Sequence, residues 1–148
     1  MPSANKVIVT TDDPRIVDAV QTFGGQAFLT SPGHLSGTDH LIEVMKQMDA
    51  DIYINLQGNE TLVRPEDIEQ LTQGMLADTS VDVGTRYHTI EDEEAVNPNM
   101  VKVVLGHQGN GIYFSRSSIL YPRETNKHPY SKKHVAVYCL SQAGIDAV

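Results

Sequence analysis

Between residues 6 and 86, β-branched apolar runs alternate with stretches whose apolar residues recur at helical spacing, and that alternation leaves few architectures open. Residues 6–10, Lys-Val-Ile-Val-Thr, read as a first strand covered on both faces. Asp12-Asp13-Pro14 then offers an acidic cap and a proline suited to a first helical turn, and Ile16, Val17, Val20 and Phe23 carry the helix to the stop at Gly24-Gly25. Residues 26–29 are a short second strand, residues 30–37 a loop, and Leu41, Ile42, Val44, Met45 and Met48 mark a second helix. A third strand covers residues 51–56, a helix runs from Pro65 to about Gly74, and residues 81–86 return as a strand. Strands and helices in this rhythm predict an α/β fold with a parallel sheet and right-handed crossovers. The strands at residues 6–10, 51–56 and 81–86 are expected in one largely parallel sheet, with 51–56 central.

The second half changes character. Residues 100–105 and 111–115 are apolar runs separated by Gly106-His107-Gln108-Gly109-Asn110, which predicts a hairpin. Residues 121–133 read as a polar loop, residues 134–140 as a last strand, and the residues after it as the start of a helix. At 148 residues one domain spanning 1–148 is expected.

Composition removes several classes of function. A formal charge of −8 argues against a nucleic-acid partner, because such proteins concentrate Lys and Arg against the phosphate backbone. It is compatible with a mononucleotide, whose phosphates a metal ion can bridge to carboxylates. No apolar run approaches the length of a membrane span, so no membrane partner is expected. The single cysteine, Cys139, permits no intrachain disulfide and suits a reducing cytoplasm. Gly-x-Gly-x-x-Gly, the P-loop pattern, His-Glu-x-x-His and Cys-x-x-Cys are all absent. His107 and His128 read as solvated loop residues.

Three stretches remain as candidates. Ser36-Gly37-Thr38-Asp39 precedes a helix and can offer N–H groups and hydroxyls to an anion or a base, or can simply cap the helix through Thr38 or Asp39. Gln57-Gly58-Asn59-Glu60 follows the third strand, where open α/β sheets hold ligands, and is otherwise a plain turn. His134 and Tyr138 share one face of a strand and either line a pocket or are buried with their polar atoms satisfied.

Taken in order, Val-Thr-Thr-Asp-Asp-Pro-Arg-Ile, Leu-Ser-Gly-Thr-Asp, Ile-Asn-Leu-Gln-Gly-Asn-Glu, Asn-Pro-Asn-Met-Val-Lys-Val-Val-Leu, Ile-Tyr-Phe-Ser-Arg and Lys-His-Val-Ala-Val-Tyr resemble the CMP-Kdo synthetase family. The resemblance runs from about residue 5 to about residue 145, and residues 97–105 and 111–116 carry its most specific part. It implies a Rossmann-like nucleotidyltransferase three-layer fold with a mostly parallel sheet and a later β-hairpin. It also implies a cytidylyltransferase that activates the acid sugar Kdo with CTP, giving CMP-Kdo and pyrophosphate for lipopolysaccharide or capsule synthesis. Magnesium would be the cofactor, CTP and Kdo the small-molecule partners, and a homodimer the assembly, through residues 101–105 or 112–114. By the same resemblance Ser36, Gly37 and Thr38 would lie near the nucleotide, and Gln57, His134 and Tyr138 would contact the sugar. Asn59 stands where the family has a metal-ligating Asp, with Glu60 beside it as a further metal candidate, and His40 stands where an Arg is common.

The family's Pro-Ala-Arg-x-x-Ser-x-Arg-Leu-Pro-Gly-Lys loop has no counterpart before Lys6, and its later Asp-bearing segment has none after the last strand. With Asn59, these departures lead to the expectation of weak or absent turnover by this chain alone, with Asn59→Asp recovering magnesium affinity only in part. A non-catalytic remnant or assembly module that keeps the fold is the alternative.

Overall fold

The computed structural model describes residues 4–34, 37–58, 60, 63–119 and 131–146. It divides into two compact units, Met1–Gly84 with Tyr138–Val148, and Thr85–Val137.

In the first unit β1 (Ile8–Thr11) pairs in parallel with β2 (Gln26–Leu29), Ile8 opposite Gln26 and Thr11 opposite Leu29. Helix α1 (Pro14–Thr22) connects them and packs on both. Its start follows from sequence: Asp13 is the N-cap and accepts from the Arg15 N–H, and Pro14, with no N–H to lose, opens the first turn. Its end is set by Gly24, whose φ of 76° is cheap only for glycine, and the Gly25 N–H closes onto the Val20 carbonyl at 3.0 Å. Helix α2 (Gly37–Met45) packs on β1 and is followed by β3 (Tyr53–Leu56) and α3 (Pro65–Ala77).

Strand β4 (Val83–Thr89) leads out of this unit, and β7 (Lys132–Leu140) returns to it before α5 (Gln142–Asp146). Met45, Tyr53, Leu140 and Ile145 form the buried cluster here, with Leu41 and Tyr138 packed against it. Tyr53 is buried with its hydroxyl donating to the Met48 carbonyl at 2.5 Å and accepting from the Ala50 N–H at 3.1 Å.

The second unit holds α4 (Asp92–Ala95), closed by a reciprocal capping box between Glu91 and Glu94, and the antiparallel hairpin of β5 (Lys102–Leu105) and β6 (Gly111–Ser115). The hairpin turn closes through Gly106 N–H to the Asn110 carbonyl at 2.8 Å, and Gly109 takes the left-handed conformation the reversal needs, φ 84°. His107 is exposed in this turn, and His128 lies outside the described residues.

The fold is α/β with open sheets, as expected. Two details of the strand arrangement differ. Residues 6–10 do not share a sheet with 51–56 and 81–86: among the described residues β1 bonds β2, while β3, β7, β5 and β6 follow in that order with β4 also pairing β7. Nor is β3 central, since it ends that order and β7 takes the central place. An apolar run reports that a strand is covered, not which strand lies beside it. The loop expected over 121–133 also ends sooner, because Lys132 and Lys133 already belong to β7.

Candidate functional site

Because β1 and β2 are parallel, the segments that follow them leave from the same edge, where open α/β sheets hold ligands. Polar side chains gather there. Thr30 is nearly fully buried, its N–H donates to the Thr11 carbonyl at 2.9 Å, and its Oγ1 bonds His40 Nδ1 at 2.5 Å. Glu43 Oε2 accepts from the Ser31 N–H at 3.0 Å and pairs with His34 Nε2 at 2.5 Å. The Ser31 hydrogen bond first, then the one from His34, hold the Glu43 carboxyl below the usual range. The His34 and His40 rings meet edge to face with centroids 4.9 Å apart. This cluster was not legible in the sequence: His34, His40 and Glu43 match no catalytic or metal motif, and only the fold brings His40 to Thr30 and Glu43 to Ser31 and His34.

Of the predicted nucleotide contacts, Gly37 is the exposed first residue of α2 and Thr38 a half-buried residue of its first turn. Thr38 and Asp39 therefore lie within the helix rather than capping it. Ser36 lies outside the described residues, as does Asn59. Gln57 and Glu60 follow β3 and are both half-buried, and the Glu60 N–H closes a turn onto the Gln57 carbonyl at 3.0 Å. Tyr138 packs on the cluster that α2 and β3 share, and its phenol pKa is raised first by burial and then by the charge of Glu60. The first unit thus joins the element that begins with Gly37 and Thr38, the strand that ends before Gln57, and the ring of Tyr138 in one packed core.

His134 belongs to the second unit. It is buried, with Nε2 2.8 Å from Thr85 Oγ1 and its ring edge-on to Phe114 at 5.1 Å. The Thr85 hydroxyl has one hydrogen; donated to the Val137 carbonyl at 2.8 Å, it leaves the oxygen to accept from the imidazole. Cys139 is buried and its thiol pushed up to about 11, which removes it as a nucleophile.

Two hollows of about 470 Å³ flank α2, one lined by His34, Asp39, Glu43 and Lys46 among others, the second by Met45, Gln142 and Ile145 among others. Neither is lined by the predicted site residues, so the position of those residues at strand and helix ends is the better guide to the site. Among the described residues no group of three or more His, Cys, Asp or Glu is placed to hold a metal ion. Glu60, half-buried after β3, is one carboxylate beside position 59, and a magnesium ion held by one or two carboxylates would take its remaining ligands from water and substrate phosphates. No helix of the described residues is long and apolar enough to cross a membrane.

An α/β fold with polar groups at the ends of strands and the start of α2 is compatible with a nucleotide ligand, and similarity to known proteins gives the family. A family profile described as Cytidylyltransferase matches residues 1–146, and the chain belongs to that family. It is 52% identical to the 3-deoxy-manno-octulosonate cytidylyltransferase of Escherichia coli over 133 residues, 90% of this chain and 54% of the relative. It is 43% identical to the enzyme of that name from Yersinia enterocolitica over 148 residues, 97% of this chain and 58% of the relative. The solved structure of CMP:2-keto-3-deoxy-manno-octonic acid synthetase complexed with CTP superposes with a TM-score of 0.89 at 48% identity, over 97% of this chain and 59% of that one. The chain spans a little over half the length of the relatives it matches.

Proposed function

We propose that this chain takes part in cytidylyl transfer from CTP to the acid sugar Kdo. In that reaction the sugar's anomeric oxygen forms a bond to the α-phosphorus, the bond to the bridging oxygen of the β-phosphate breaks, and pyrophosphate and the hydroxyl proton depart. The observation that supports the reading is the superposition along nearly the whole chain on a synthetase whose structure holds CTP. Gly37 and Thr38 are the proposed nucleotide contacts, through an N–H and a hydroxyl at the start of α2. Gln57 and Tyr138 are proposed for the sugar, an amide and a phenol suited to hydroxyl groups. Cytoplasmic residence and the magnesium requirement belong to the same reading.

The test is calorimetric titration of the 148-residue chain with CTP, ATP and GTP in magnesium, followed by pyrophosphate release with CTP and Kdo. CTP is expected to bind about tenfold or more tightly than the purine nucleotides, the equivalent of one or two base-edge hydrogen bonds. Asn59→Asp should tighten CTP binding in magnesium and leave it unchanged in EDTA. Equal or absent binding of all three nucleotides would overturn the proposal. With CTP-selective binding, weak or absent Kdo-dependent release is the result expected of this chain alone, and robust release would show that the metal site lies elsewhere than position 59.

Homodimer formation is proposed through β6. Ile112, Tyr113 and Phe114 are 64%, 60% and 44% exposed, consecutive on a strand at the end of the sheet order. Light scattering at high micromolar concentration should give twice the chain mass, and Ile112→Lys should shift it toward the monomer. A monomeric unsubstituted chain would refute the dimer.

A further inference from the structure

The proposed nucleotide contacts Gly37 and Thr38 are bracketed by two attachments between the segment before α2 and the helix itself. On the segment stand Thr30, Ser31 and His34; on the helix stand His40 and Glu43, three residues apart and therefore on one face. Glu43 makes two of the contacts, accepting the Ser31 N–H at 3.0 Å and pairing with His34 Nε2 at 2.5 Å. Thr30 makes the third through His40, and its own N–H ties the segment to β1 at Thr11. The pair is sheltered: the His34 and Glu43 side chains keep only 24% and 29% exposure. Residues 30, 31 and 34 are thereby held to residues 40 and 43 of α2, and each hydrogen bond fixes both distance and direction.

We infer that Glu43 is a positioning residue: through its joint hold on Ser31 and His34 it fixes α2 against residues 31–34 and thereby the placement of Gly37 and Thr38 for the nucleotide. The nucleotide half of this statement rests on the proposed function; the placement of Gly37 and Thr38 does not. Glu43 lies six residues beyond Gly37 and acts through the clasp, not by contact with the ligand.

The test uses the full 148-residue chain with Glu43→Ala, Glu43→Gln and His34→Gln, read by amide NMR and by CTP titration. Glu43→Ala removes the Oε2 that makes both contacts, whereas Glu43→Gln keeps one oxygen for the Ser31 N–H and can still meet the His34 ring through its amide. Glu43→Ala should speed exchange of the Ser31 amide by about tenfold and shift the Gly37 and Thr38 amides, with Val103 and Phe114 unmoved. Glu43→Gln should stay near the unsubstituted chain, a rescue that a general loss of folding would not show. Combining His34→Gln with Glu43→Ala should add nothing to Glu43→Ala alone, since both cut the same connection. CTP affinity should fall about fivefold or more in Glu43→Ala and less than twofold in Glu43→Gln. Unmoved Gly37 and Thr38 amides in Glu43→Ala, or fully additive effects in the double variant, would overturn the inference whatever CTP does. Should the unsubstituted chain fail to bind CTP, the proposed function fails, and the clasp is decided on the amide shifts.

Discussion

Lys102→Met is expected to destabilise the second unit by about 3 kcal/mol or more, a large share of the roughly 5–15 kcal/mol that holds a typical domain folded. Lys102 is 2% exposed, and its ammonium donates to the Asn97 carbonyl at 2.9 Å, the Met100 carbonyl at 2.7 Å and the Arg116 carbonyl at 2.5 Å. Three donors meet three backbone acceptors, so the charge is buried but fully hydrogen-bonded. These contacts tie the turn before β5 to the residue that follows β6. Methionine fills much of the same space and donates nothing. Each carbonyl left buried without a partner costs about 1–3 kcal/mol, reduced where water can reach it. Lys102→Arg should recover only part of the loss, because a planar fork of donors does not match three converging carbonyls around one nitrogen.

The pH dependence gives a second readout of the same residue. Burial first, and then the nearby Arg116 charge, hold the Lys102 pKa below its ordinary value of 10.5. Between the folded value and 10.5 the unfolded chain binds more protons than the folded one, so this group makes stability rise with pH across that window. Urea denaturation at several alkaline pH values should show the rise in the unsubstituted chain and a smaller slope in Lys102→Met. Equal midpoints for the two proteins at neutral pH would mean that the cage contributes nothing.

Gly144→Ala is expected to cost about 2–4 kcal/mol, an overpacking effect at the upper end of the usual range. A Cβ on Gly144 would stand 2.3 Å from the Asp82 carbonyl oxygen and 3.0 Å from its carbon. That oxygen cannot swing aside freely, because it accepts the Ser141 N–H at 3.0 Å, and Ser141 Oγ in turn accepts the Gly144 N–H at 3.1 Å. Relief therefore requires α5 to shift, and with it Ile145, which is packed in the cluster with Met45, Tyr53 and Leu140. The same exchange at Gly74 has the opposite sign: that residue lies inside α3 with nothing within 4 Å of an added Cβ, so Gly74→Ala should stabilise by about 0.5–1 kcal/mol. Thermal unfolding of the two variants should move in opposite directions. A Gly144→Ala protein as stable as the parent would show that α5 yields without disturbing the cluster.

The elements themselves were legible in the sequence wherever their signals are local. Asp13 and Pro14 announce the start of α1, Gly24 its end, and β2 and β6 fall where short apolar runs lie beside turn residues. The capped four-residue helix α4 was missed, being too short for any periodicity to register. The candidate site was legible as segments: the start of α2, the turn after β3 and the face of β7 were each singled out from residue type and position.

Tertiary structure decided what those segments meet. A covered strand can pair with any neighbour of suitable length, and the fold gives β1 to β2 and β3 to β7. Alternation in a strand says nothing of a lysine turned inward, which is tolerable at Lys102 only because Asn97, Met100 and Arg116 bring their carbonyls to it. Likewise Glu43 reads from sequence as one more charge on a helix, and becomes a clasp because Ser31 and His34 arrive beside it. Local pattern sets backbone propensity over a few residues, whereas burial of a polar group depends on partners supplied from elsewhere in the chain, and only packing brings those into range.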